Sequence, residues 1–229
     1  MSCPFFILMK TAVFLFDLDG VIFDTEGQYT EFWDGIGRDY LGDPELSGKL
    51  KGETIAKSLQ RCFPDDPLRR EEVRARLYDF EAQMKFEYVP GAYGFLEYLK
   101  GQGYPTAIVT SSNRDKMAQV YKSRPEIRDM VCRVLTGDDF ARSKPYPDCY
   151  LLGMELFGAA PEDAYIFEDS FNGLRAGRDS GGHVIALATT NTRESVAPYA
   201  DLVLDDFTSV LDGLSANFGL FEGAPLSVF

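Results

Sequence analysis

The stretch TAVFLFDLDGVIFDT, residues 11–25, decides the fold. After Thr11 its next five residues are an unbroken apolar run, the signature of a strand buried on both faces of a parallel sheet. Similar runs recur at TAIVT (106–110), VCRVLT (131–136), AYIFED (164–169), HVIALA (183–188) and DLVLDD (201–206), so five or six short strands are expected. Helical patterns lie between them at GAYGFLEYLKGQG (91–103), NRDKMAQVYKS (113–123), PDCYLLGMELFG (147–158) and SFNGLRAGRDSGG (170–182), the last with Ser170 as a plausible N-cap. Alternation of this kind reads as a doubly wound, Rossmann-like α/β fold with a parallel-sheet core.

One region interrupts the alternation. From about Asp24 to Tyr88 no convincing strand occurs, and Val73, Leu77, Phe80 and Met84 recur at helical spacing. This region reads as an inserted α-helical cap domain, a lid rather than padding. The expected organisation is a core of residues 1–23 and 91–229 with a cap over 24–90.

Composition narrows the function. The chain has 229 residues and a net charge of −13, large enough for a sizeable core without staples and opposed to the basic footprint of nucleic-acid binding. Part of the acidity gathers beyond residue 200, at Asp201, Asp205, Asp206, Asp212 and Glu222, as a solvated face. Cys3, Cys62, Cys132 and Cys149 show no metal or redox spacing, which suits a reducing cytoplasm. The start, MSCPFFILMK, lacks a basic n-region and reads as a loose extension before Met9, not a signal peptide, and no stretch reaches membrane-spanning length. His183 is the one histidine and opens a strand-like run, a structural position that leaves little room for histidine-based catalysis.

In open α/β sheets the ligand crevice lies outside the carboxyl ends of the strands, so the residues just after each apolar run carry the information. Asp17 and Asp19 end the first run. Thr110, Ser111 and Ser112 end the second, beside a helix start, and offer hydroxyl and N–H donors suited to a phosphate oxygen or to helix capping. Lys144 stands directly before a proline in RSKPYPD, and Glu168 and Asp169 end AYIFED. Carboxylates gathered without histidine or cysteine point to a hard cation, Mg²⁺. Together these are the parts of phosphoryl transfer through an aspartyl phosphate: a carboxylate nucleophile, a second carboxylate as acid and base, a cation, and donors for phosphoryl oxygens.

At these four motifs, and over roughly residues 11–205, the chain resembles the haloacid dehalogenase superfamily, in the branch of β-phosphoglucomutase and related sugar-phosphate phosphatases. The resemblance implies Asp17 as nucleophile and Asp19 as general acid and base. It implies Mg²⁺ held by the Asp17 carboxylate, the Asp19 backbone carbonyl and Asp169, with Glu168 as the acidic partner of Asp169. Thr110 and the Ser111 N–H match the phosphoryl-binding position, and Lys144 matches the lysine that balances the nucleophile's charge.

Dehalogenases proper lack the second aspartate, so Asp19 argues for phosphoryl chemistry. LKGETI (50–55) resembles the mutase cap motif through Lys51 and Gly52, but Ile55 stands where the mutases carry an arginine for the distal phosphate. Tyr29 stands where they carry a histidine. Both departures favour hydrolysis over mutase chemistry. The expected function is a Mg²⁺-dependent phosphatase of a small phosphorylated metabolite, a sugar phosphate by default, with a β-phosphoglucomutase-type mutase as the alternative. An idle phosphate-binding module and a receiver-like domain phosphorylated on Asp17 rank below both. Lys51, with Arg38 and Lys57 beside it, is the candidate for a substrate tail. Neither nucleic acid nor membrane is expected as a partner, and the protein is read as a cytoplasmic monomer or small homo-oligomer.

Overall fold

The structure is a computed structural model that describes residues 12–51 and 53–216. The initial apolar run with Cys3 and Met9, Gly52 of the cap motif, and Glu222 lie outside the described residues. All six apolar runs become strands: β1 (Val13–Phe16), β2 (Thr106–Val109), β3 (Arg133–Leu135), β4 (Ala164–Glu168), β5 (His183–Leu187) and β6 (Leu202–Leu204). They form one sheet in the order β3-β2-β1-β4-β5-β6, and every pairing is parallel. The order reverses at β1 and β4, which places a crevice beyond their carboxyl ends.

The insert after β1 is helical. It comprises α1 (Glu26–Ile36), prolonged by a π-helical turn over Gly37–Leu41, then α2 (Ser47–Leu50), α3 (Ile55–Cys62) and α4 (Pro67–Gln83). Thr54 and Asp66 cap α3 and α4 by accepting from the backbone N–H of Lys57 and Arg69, and Pro67 opens α4. Trp33, Ile36, Leu50, Leu59, Val73 and Leu77 close a core separate from that of the sheet. The helical stripe read from the sequence holds through Phe80, but α4 stops at Gln83. Met84 takes an extended backbone (ψ 143°) and is buried in the sheet-side core instead. The chain turns there to return beside its own exit: Asp24 N–H donates to the Glu87 carbonyl at 2.8 Å and Val89 N–H to that of Ile22 at 3.0 Å.

The remaining helices are α5 (Ala92–Gly101), α6 (Arg114–Ser123), α7 (Ile127–Met130), α8 (Asp148–Phe157), α9 (Phe171–Ser180), α10 (Arg193–Val196) and α11 (Thr208–Ala216). They cover both faces of the sheet, which explains why its strands read as continuous apolar runs. Phe14 and Phe16 join Phe95 of α5, Phe167 and Phe207 on one face, with the Phe16 and Phe167 rings stacked 4.6 Å apart. Val13 and Leu15 meet Tyr150 and Met154 of α8 and Ala176 of α9 on the other. His183 opens β5 with its Nε2 3.0 Å from the Glu162 carbonyl, the structural position expected. No helix among the described residues is long and apolar enough to cross a membrane.

Candidate active site

The switch point brings the strand-end residues together in a cleft between sheet and insert. Asp17, Asp19, Thr110, Ser111, Lys144 and Asp169 all line it. Asp17 continues β1, its backbone N–H held by the Phe167 carbonyl at 3.0 Å. Gly20 follows with φ +73°, and a Cβ there would collide with the Asp169 carboxylate, so only glycine lets β1 and β4 deliver their aspartates side by side.

Lys144 is the buried cation of this end. Its Nζ donates to Asp17 Oδ1 at 2.7 Å and to the Val109 carbonyl at 3.1 Å, and also to Glu168 Oε1. Burial alone would discharge the ammonium, but Asp17 and Glu168 outweigh it and hold Lys144 charged. Burial pushes Asp17 up to about 7 against the pull of Lys144, with Glu168 and Asp19 adding to the rise. Asp169 is raised for the same reason, burial first and then Glu26, Glu168 and Asp17.

Asp17, Glu168 and Asp169 offer carboxylate oxygens within 4.8 Å of one another. Glu168 is already supplied with donors: Lys144, the Tyr150 hydroxyl at 2.6 Å, and the N–H groups of Asp169 (3.1 Å) and Ser170 (3.3 Å). Asp17 and Glu168 thus share one ammonium, and Asp169 has no ion-pair partner among the described residues, so this end keeps an excess of negative charge. A hard divalent cation with oxygen ligands fits that donor set.

The end of β2 resolves an ambiguity of the sequence. Asn113, not a serine or threonine, caps α6 by accepting from Lys116 N–H. Ser111 Oγ is buried and has no hydrogen-bond partner among the described residues, while Ser112 Oγ donates to Asp19 at 3.2 Å.

Lys116 is the residue that sequence reasoning missed. It is 1% exposed, its Nζ lies 2.5 Å from both carboxylate oxygens of Asp19, and it sits over the Tyr29 ring at 4.4 Å. Thr25 donates to the same aspartate at 2.5 Å. The one signal was position, a lysine in the first turn of the helix that follows the β2 strand end. Tyr29, noted in the sequence only as a replacement, covers this cation and donates from its hydroxyl to the buried Glu81 of α4 at 2.8 Å.

The opposite wall comes from the insert. Glu26, Trp33, Lys51, Glu53, Ile55 and Glu81 line it. Of the three cations considered for a substrate tail, only Lys51 reaches the cleft, 3.7 Å from Glu26 and with its carbonyl held by Asn172 of α9 at 2.9 Å. Arg38 lies exposed on the π-helical turn, and Lys57 is exposed behind Glu53 at 3.4 Å.

The chain is similar to known proteins over most of its length. Hexitol phosphatase A of Escherichia coli is 31% identical over 185 residues, covering 78% of this chain and 84% of that protein. A β-phosphoglucomutase of Mycobacterium bovis is 27% identical, covering 88% and 92%. The crystal structure of CbbY from Rhodobacter sphaeroides in complex with phosphate superposes with a TM-score of 0.73 at 25% identity, covering 86% of this chain and 95% of that one. Residues 11–181 match the family profile described as haloacid dehalogenase-like hydrolase, and the chain belongs to that family.

Proposed function

We propose that the protein is a Mg²⁺-dependent phosphatase of small phosphorylated metabolites that works through an aspartyl phosphate on Asp17. The observation that carries this reading is Lys144, a buried ammonium between Asp17 and Glu168 at the carboxyl ends of β1 and β4. In the proposed division, residues 1–23 and 91–229 form the catalytic core and 24–90 the cap that closes over it. A cytoplasmic monomer or small homo-oligomer is the accompanying assignment.

Asp17 attacks phosphorus in line while Asp19 gives a proton to the departing alcohol; water then attacks the phosphoryl group with Asp19 as base. Lys144 holds Asp17 in place and remains charged beside the transferring group, and Thr110 with the Ser111 N–H supplies donors to its oxygens. Asp17, the Asp19 carbonyl and Asp169 would hold Mg²⁺, which when bound would neutralise charge on the phosphoryl oxygens. The insert excludes water while the ester is bound.

Hydrolysis is favoured over mutase chemistry by Ile55, an apolar side chain on the cleft wall where the mutase pattern has an arginine. Hexitol phosphatase A, a named phosphatase among the relatives, supports the same choice. The test is release of inorganic phosphate from sugar phosphates, followed by phosphorus NMR with and without Mg²⁺. Mg²⁺-dependent growth of the orthophosphate signal is expected; conversion of a 1-phosphate to a 6-phosphate without free phosphate contradicts it.

A further inference from the structure

The cap wall of the cleft carries a charge pattern that the phosphoryl chemistry does not use. Its carboxylates are Glu26, Glu53 and Glu81, and its one lining cation, Lys51, is 3.7 Å from Glu26. Glu81 is 2% exposed and accepts from Tyr29.

Glu53 is different. Its side chain is 6% exposed, and Oε1 is held by Arg61 at 3.0 Å and Lys57 at 3.4 Å, cations that stand behind it with half or more of their side chains in solvent. Oε2 is buried and has no hydrogen-bond partner among the described residues. A buried carboxylate oxygen without a donor is unfavourable unless a ligand brings one. Thr30, Ser47 and Ser58 add hydroxyls to the same wall, and Trp33 adds an aromatic surface.

We propose that this wall selects for an uncharged, hydroxyl-bearing alcohol part, with Glu53 Oε2 accepting a hydrogen bond from one of its hydroxyls, and rejects alcohols that carry a second anion. The inference rests on the phosphatase reading and adds the chemical class of the leaving group. A second phosphate or a carboxylate would meet three carboxylates and a lysine already engaged by one of them. Like charge at close range in a desolvated cleft discriminates by repulsion as well as by missing contacts.

The experiment uses matched esters that differ in charge: glycerol 3-phosphate against 3-phosphoglycerate, and glucitol 6-phosphate against 6-phosphogluconate, with p-nitrophenyl phosphate as a reference. In the presence of Mg²⁺ the neutral member of each pair is expected to have the higher kcat/KM, by about 100-fold where a buried acceptor is satisfied only by that member. Glu53→Ala, which removes the acceptor, and Glu53→Gln, which keeps an amide oxygen but removes the negative charge, should each shrink that ratio by about tenfold, since both also release Arg61 and Lys57. Each ratio is internal to one folded enzyme, so loss of protein does not mimic the effect. Turnover of p-nitrophenyl phosphate without preference for the neutral esters overturns the inference, as does a preference unchanged in both variants. Failure to hydrolyse every ester, p-nitrophenyl phosphate included, overturns the phosphatase reading beneath it.

Discussion

The sheet side and the cap side of the cleft are both rich in carboxylates, yet they are organised differently. On the sheet side, Asp17 and Glu168 share the buried ammonium of Lys144, and Asp19 has that of Lys116. These groups sit at strand ends whose positions are fixed by parallel pairing. On the cap side, Glu26 and Glu81 hang from helices and Glu53 from the segment before α3; their cations are Lys51, beside Glu26, and the solvent-exposed Lys57 and Arg61 behind Glu53, whereas the sheet side buries its lysines. Chemistry that must recur with every turnover is built on the sheet, where backbone register sets geometry. In the proposed division, recognition of the alcohol falls to helices that can differ without disturbing the sheet.

The largest test of the sheet side is Asp17→Asn. Removing the nucleophile should lower kcat by roughly 10⁴-fold or more, as loss of a reacting group does elsewhere. Thermal melting should show the fold intact, because burial already favours a neutral group at this position.

Lys116→Met is expected to act next most strongly. It leaves Asp19 without its cation, and breaking a buried pair costs about 3 kcal/mol. Phosphate release should fall by about 100-fold, the lower range for disturbed acid–base catalysis. A variant that melts lower but turns over normally would separate Lys116 from the chemistry.

The cation sharpens the comparison through pH. Asp17 and Asp169 have raised pKa values in the folded protein, so the folded state binds protons that the unfolded chain releases. Their contribution to stability is present below the unfolded value of about 4 and is lost as pH rises toward about 7 for Asp17. In EDTA, this contribution should lower the melting temperature as pH rises across that window. Mg²⁺ should restore it more at pH 8 than at pH 5, by about 2.7 kcal/mol when a hundredfold above its dissociation constant. Equal stabilisation at both values breaks the assignment of these carboxylates to the cation.

The smallest effect belongs to the cap side. Tyr29→Phe removes the hydroxyl that Glu81 accepts but keeps the ring over Lys116. A loss of about 1 kcal/mol in stability is expected from denaturant titration, with kcat changed by less than about threefold.

The same contrast explains what the sequence revealed. Six apolar runs announced five or six strands, because a strand covered on both faces needs an unbroken apolar segment; the crevice rule then pointed to Asp17, Thr110 and Asp169, and the lysine before a proline to Lys144. Helical spacing identified the insert, but not that Met84 leaves α4 for the sheet-side core. Lys116 escaped because a lysine on a surface-like helix usually lies in solvent; here the Tyr29 ring covers it and Asp19 takes its ammonium. Arg38 and Lys57 looked equivalent to Lys51 in sequence, since helix spacing does not show which face meets the cleft. Glu53 was equally silent, since its pairing with Lys57 and Arg61 of α3 and its place on the cleft wall follow from the fold of the insert.

The most direct test of the central claim is to trap the intermediate. The enzyme, Mg²⁺ and a turned-over phosphate ester are quenched within one turnover, reduced with borohydride and digested for mass spectrometry. An acyl phosphate on the nucleophile is reduced to homoserine, and the account predicts that conversion at Asp17 alone, absent without ester. Reduction at another carboxylate, or none at Asp17 while phosphate is being released, would contradict it.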